Sequence, residues 1–159
     1  MAARHQTGFS LIELVVTIAI LGLLASMAVP FAKLVQQRQK ESELRYSLKQ
    51  IRNALDAYKQ AVIDKRVDVS ADASGYPPDL DTLTKGVADK TKPDNSRIYF
   101  LRRLPRDPFA SDQITDAAET WGTRSYKSPP DEPQAGDDVY DVYSRSDKTG
   151  LNGVPYREW

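Results

Sequence analysis

The chain has 159 residues, with Lys+Arg and Asp+Glu balanced at 22 each, and is long enough for one modest domain of about 90 residues beside an apolar N-terminal segment. With no net field to attract a polyanion, composition gives no reason to expect a nucleic acid as partner. The absence of cysteine excludes disulfides and thiol chemistry.

In chain order, the first predicted element is an apolar helix. The nineteen residues from Leu14 to Ala32 carry no charge, close to the ~20 that a helix needs to cross ~30 Å of hydrocarbon. A secretory signal would place a small-residue cleavage site after its apolar core, whereas the small residue here, Gly8, comes before it. Cleavage after Gly8 therefore leaves the helix on the mature chain. Arg4 precedes the span and Lys33, Arg38 and Lys40 follow it, so charge alone does not fix its orientation. Glu13 conflicts with its surroundings: an ionised carboxylate within hydrocarbon costs about 2.5–3.5 kcal/mol, which calls for a partner or a function. A cut after Gly8 would supply one, because the new α-amino group on Phe9 lies one helical turn away, in the same chain or a neighbouring one. Snorkelling of Glu13 to the membrane edge is the plainer reading.

From Lys33 to about Arg66 the sequence becomes charged, without glycine or proline, and its composition favours helix. The spacing of Leu44, Leu48, Ile51, Leu55, Tyr58 and Val62 predicts one apolar stripe. Packing against the chain's own C-terminal domain is favoured over a two-chain coiled coil, because so few heptads are short for a free one. Counted from Phe9 to Ile63, the helix would be ~80 Å long at 1.5 Å per residue, with Gly22 and Pro30 as the place to bend.

Past Arg66, a polar loop leads to Pro77, Pro78 and Asp79, then to a short helix stopping near Gly86. The stretch from Ile98 to Phe109 is expected to be packed but not extended sheet. WGTRSYKS and DVYDVYSRS have strand character and are expected to pair antiparallel, with a proline-rich loop between them. The fold class is α+β. Enzymatic chemistry is not expected: the one histidine, His5, lies in the segment to be removed, and no glycine-rich phosphate loop appears. Arg102, Arg103 and Arg106 beside prolines suit salt bridges or aromatic packing better than DNA.

Gly8 to Val16, read as GFSLIELVV, with a short leader and Pro30 at the later kink position, resembles the class III signal of type IV pilins and type II secretion pseudopilins. The resemblance implies that a prepilin peptidase cleaves between Gly8 and Phe9 and N-methylates Phe9. It implies that Glu13 pairs with the terminal amine of an adjacent subunit during assembly. It also implies a leader in the cytoplasm, a single pass through the inner membrane and a periplasmic domain. YPPDLDTL, FLRRLPRDPF, WGTRSYKSP and DVYDVYSRSDKTGLNG are similar in order and spacing to the G-type major pseudopilin, a pilin-like fold. The implied division is a leader at 1–8, a transmembrane and assembly helix at 9–32, an amphipathic helix at 33–66 and a globular domain at 67–159. The implied partners are further copies, other pseudopilins, the prepilin peptidase and an inner-membrane assembly platform. The implied role is structural, in a pseudopilus that drives export through the outer membrane. A type IV pilin for adhesion, motility or DNA uptake is the alternative within the resemblance, and a bitopic periplasmic binding protein the alternative outside it.

G-type pseudopilins bind calcium in the loop after the last strand. Here that loop offers one acidic residue, Asp147, with Ser144, Thr149 and Asn152 as neutral donors. Lys148 stands where the family has a glycine, and a second aspartate has no clear counterpart. Calcium held by Asp147, Ser144 and Asn152 is one reading. A loop closed by hydrogen bonds, with Lys148 in place of the ion's charge, is the preferred one.

Overall fold

The computed structural model describes residues 10–94 and 96–159, the Met27 side chain excepted. Helix α1 spans Leu11–Ile63 and α2 spans Asp81–Lys85. Strands β1 (Val87–Ala88) and β2 (Arg97–Ile98) form one antiparallel pair; β3 (Trp121–Arg124) and β4 (Asp141–Ser144) form another. This is the α+β, pilin-like arrangement expected. The chain divides into two compact units between Gln39 and Lys40, so the boundary falls within the predicted amphipathic segment.

In the second unit, the stripe predicted on α1 is the centre of the core. Leu44, Leu48, Ile51, Leu55 and Tyr58 are each at most 3% exposed, and Val62 packs at the edge. Leu80, Leu83, Leu104, Trp121, Val139, Val142 and Tyr156 join the same cluster, so the domain covers the stripe within one chain. Burying such side chains stabilises by about 1.5–3 kcal/mol each, so packing adds to the helix-favouring composition here. Helix α1 ends in a Schellman turn: the Lys65 amide donates to Val62 O at 3.0 Å and the Arg66 amide to Ala61 O at 2.9 Å. Lys65 takes the left-handed conformation, φ 57°, that glycine usually supplies.

The predicted stop at Gly86 is present, and its amide donates to Thr82 O at 3.1 Å. Sequence reasoning missed the two-residue β1–β2 ladder, since so short a pairing has no periodicity to detect. After β2 the chain is packed without strand structure, as expected, and Arg106 is used locally: its guanidinium braces the carbonyls of Ser111 and Ile114. Arg102 and Arg103 are exposed.

In the β3–β4 pair, Trp121 faces Ser144 and Gly122 faces Tyr143. A Cβ at Gly122 would stand 2.3 Å from the Tyr143 ring, which accounts for glycine at this register position. The Trp121 indole donates to Pro105 O at 2.9 Å. Buried Asp107 accepts the Ser144 hydroxyl at 2.5 Å and the Phe109 amide at 2.8 Å, fixing the Asp107–Ala110 turn to the end of β4. Arg52 on α1 ties β4 and the last residue together. It donates to Asp141 Oδ1 at 2.8 Å, Val142 O at 3.2 Å and Trp159 O at 2.8 Å.

Candidate functional site

The first unit supplies a helical surface with no interior of its own. Every described side chain from Ser10 to Gln36 is exposed, including Leu11 at 80%, Leu23 at 67% and Phe31 at 68%. An apolar surface of this extent marks contact with lipid or with other chains. From Leu11 to Ala32 the helix rises about 33 Å, long and apolar enough to cross a membrane. Its two hydroxyl groups are satisfied from within. The Thr17 hydroxyl donates to Leu14 O at 2.8 Å and the Ser26 hydroxyl to Leu23 O at 2.7 Å, so neither is left unpaired in hydrocarbon. At the start, the Ser10 carbonyl accepts the Leu14 amide at 3.1 Å and the Ser10 hydroxyl oxygen accepts the Ile12 amide at 3.3 Å.

Glu13 lies in the first turn of α1, where the helix dipole favours a negative charge. It is exposed between Ile12 and Leu14 and has no hydrogen-bond or ion-pair partner among the described residues. Gly8 and Phe9 lie outside the described residues. Gly22 and Pro30 both lie within α1, and a Cβ at Gly22 would meet nothing within 4 Å. Pro30 has no amide to offer the Ser26 carbonyl, so one rung of the hydrogen-bond ladder is missing there by covalent necessity.

The residues proposed for calcium are not brought together as a cage. Asp147 is exposed; the Ser144 hydroxyl is committed to Asp107; Asn152 Oδ1 accepts the Val154 amide at 3.1 Å. Among the described residues no group of three or more acidic or imidazole side chains could hold a metal ion. Calcium requires six to eight oxygens and usually several carboxylates, so this donor set does not fit it. The residue that sequence reasoning missed is Glu41. Its Oε1 accepts the Leu151 amide at 2.8 Å and the Tyr156 hydroxyl at 2.9 Å, reaching the C-terminal loop from α1. The signal was present: Glu41 stands three residues before Leu44, where the apolar stripe continues, so a carboxylate occupies a core position.

A helix of membrane length with a carboxylate in its first turn, continuing into a small α+β domain, defines the class as the pilin-like subunits that resemblance suggested. Residues 3–29 match the family described as prokaryotic N-terminal methylation motif. The chain is 30% identical to type II secretion system core protein G of Klebsiella pneumoniae over 86% of its own length and 94% of that protein. It is 34% identical to the protein of the same name from Vibrio cholerae over 69% of each chain. With that of Dickeya chrysanthemi it shares 29% identity over 94% of its own length and 96% of the relative. No solved structure matches. The chain belongs to the family of type II secretion system core protein G, the G-type pseudopilins.

Proposed function

We propose that this protein is a structural subunit of a type II secretion pseudopilus, anchored by α1 in the inner membrane with its domain in the periplasm. A prepilin peptidase cleaves between Gly8 and Phe9 and methylates the new terminus. Processed subunits, with other pseudopilins and an inner-membrane assembly platform, polymerise through their N-terminal helices to drive export through the outer membrane. The observation that carries this reading is Glu13, an exposed carboxylate without a partner among the described residues, in a helix otherwise suited to lipid. Left alone in hydrocarbon it costs about 2.5–3.5 kcal/mol, and pairing with the Phe9 amine of a neighbouring subunit offsets much of that. The domain supplies the filament's outer surface, and the chain contributes no catalysis.

The test is Glu13→Val in the native host. The variant inserts as well as the wild type or better, is processed to methylated Phe9 by mass spectrometry, and fails to form filaments or support secretion. Normal filaments and secretion from Glu13→Val would refute the role given to Glu13. Retention of Met1 in the wild-type protein would refute the processing step and with it the subunit reading.

A further inference from the structure

The C-terminal loop after β4 reverses direction within a few residues. Thr149 bridges Pro155, the Gly150 amide donates to Val154 O at 2.9 Å, and the Tyr156 amide donates to Lys148 O at 3.1 Å. The reversal is crowded, since a Cβ at Gly150 would stand 2.5 Å from the Trp159 ring and 2.7 Å from Asn152 Oδ1. Local hydrogen bonds alone would leave such a segment among the first to open. Arg52 holds its last residue at Trp159 O and Arg45 lies over the Trp159 ring at 4.3 Å, and two further contacts fix its middle to the domain. One is aromatic: Tyr156 stacks on Phe109 at 4.1 Å between ring centroids and meets Trp159 edge-on at 5.0 Å. The other is Glu41, 8% exposed, whose single oxygen Oε1 accepts from the loop's tip at Leu151 and from its base at Tyr156.

We infer that the Glu41 carboxylate is the closure of the C-terminal loop, joining Leu151 to Tyr156 from α1, and that the loop is ordered without a bound cation. The chemistry is that of an anion held by an amide and a phenol hydroxyl. Hydrogen bonds to a carboxylate are stronger than those between neutral groups. A calcium ion orders a loop by drawing oxygen ligands inward around positive charge; here the closing group is itself negative and the loop presents donors to it. The two arrangements are opposite in sign. A loop built to give N–H and O–H groups to a carboxylate presents the wrong end of those dipoles to a cation. The sequence agrees, with Lys148 beside Asp147, the only carboxylate between β4 and Tyr156.

The experiment is amide hydrogen exchange on the full-length protein in detergent micelles, read at Leu151, with calcium chloride and separately with EDTA. The wild type is expected to exchange at the same rate in both. Glu41→Ala exchanges at least about ten-fold faster at Leu151, and calcium does not restore protection. Glu41→Gln, which keeps an oxygen acceptor but not the charge, falls between the two. Tyr156→Phe keeps the ring packing and loses only the hydroxyl; it decides the matter if Glu41→Ala does not fold, and is expected to speed exchange about three-fold. Slower exchange of the wild type in calcium would overturn the inference, as would wild-type rates in Glu41→Ala or, where that variant fails to fold, in Tyr156→Phe. None of these outcomes depends on filament formation, so the proposed function stands or falls separately.

Discussion

Replacing Arg52 by alanine removes three contacts at once, and the structure allows the loss to be apportioned. The ion pair with Asp141 is short, 2.8 Å, but its side chains are 38% and 27% exposed, so solvent screening limits it to about 0.5–1 kcal/mol. The bonds to Val142 O and Trp159 O add about 1 kcal/mol each. Asp141 keeps Arg124 at 3.5 Å and is not left as an unpaired charge, which keeps the sum at about 2–3 kcal/mol. For a unit of this size the thermal midpoint should fall roughly 8–12 °C. The assay is circular dichroism of the full-length protein in detergent on heating. Arg52→Lys keeps the charge, but one ammonium cannot serve three acceptors spread along β4 and the terminus, so it should recover less than half the loss. A midpoint for Arg52→Ala within about 2 °C of the wild type would refute the view that this guanidinium holds β4 and the last residue on α1.

Two further predictions concern the end of α1 and the loop beyond it. Lys65→Gly relieves the left-handed strain but enlarges the entropy of the unfolded chain, for a net gain of about 0.5 kcal/mol, while Lys65→Val loses about 1 kcal/mol. Denaturant unfolding checks the order Gly, Lys, Val; any other order refutes the strain. Asp89 is 2% exposed, and the hydrogen bond from Arg66 at 2.7 Å, followed by those from Thr91, holds its carboxyl well below the ordinary value of 3.8. A carboxylate depressed on folding contributes stability that is fully present above its unfolded value and is lost as pH falls towards the folded one. The stability gap between the wild type and Asp89→Asn should therefore be widest near neutrality and narrow below about pH 4. Urea denaturation across that range checks it, and parallel curves would count against the pairing.

Much of this protein is written locally. The apolar span, the carboxylate at Glu13 and the turn back from helix at Gly86 each depend on residues within one or two turns of one another, where composition and spacing carry the signal. The stripe from Leu44 to Val62 is equally local, but its partner was not. A coiled coil and a domain core ask the same periodicity of a helix, and the packing of Trp121, Val142 and Tyr156 on it decides between them. The β3–β4 pairing was readable from strand character, although not its register, which the contact of Gly122 with the Tyr143 ring fixes.

What the sequence by itself determined is a membrane-length helix with one charge to explain, an amphipathic continuation and a small α+β domain. What only the tertiary structure decided is how the polar groups of that domain are used. Glu41 and Tyr156 are 115 residues apart, and Arg52 and Trp159 are 107 apart. The spacing marks Glu41 as a core position but not its partner, because a charged side chain reaches its partner through folding rather than through spacing. For the same reason no spacing in the sequence shows that a carboxylate of α1 stands against the C-terminal loop.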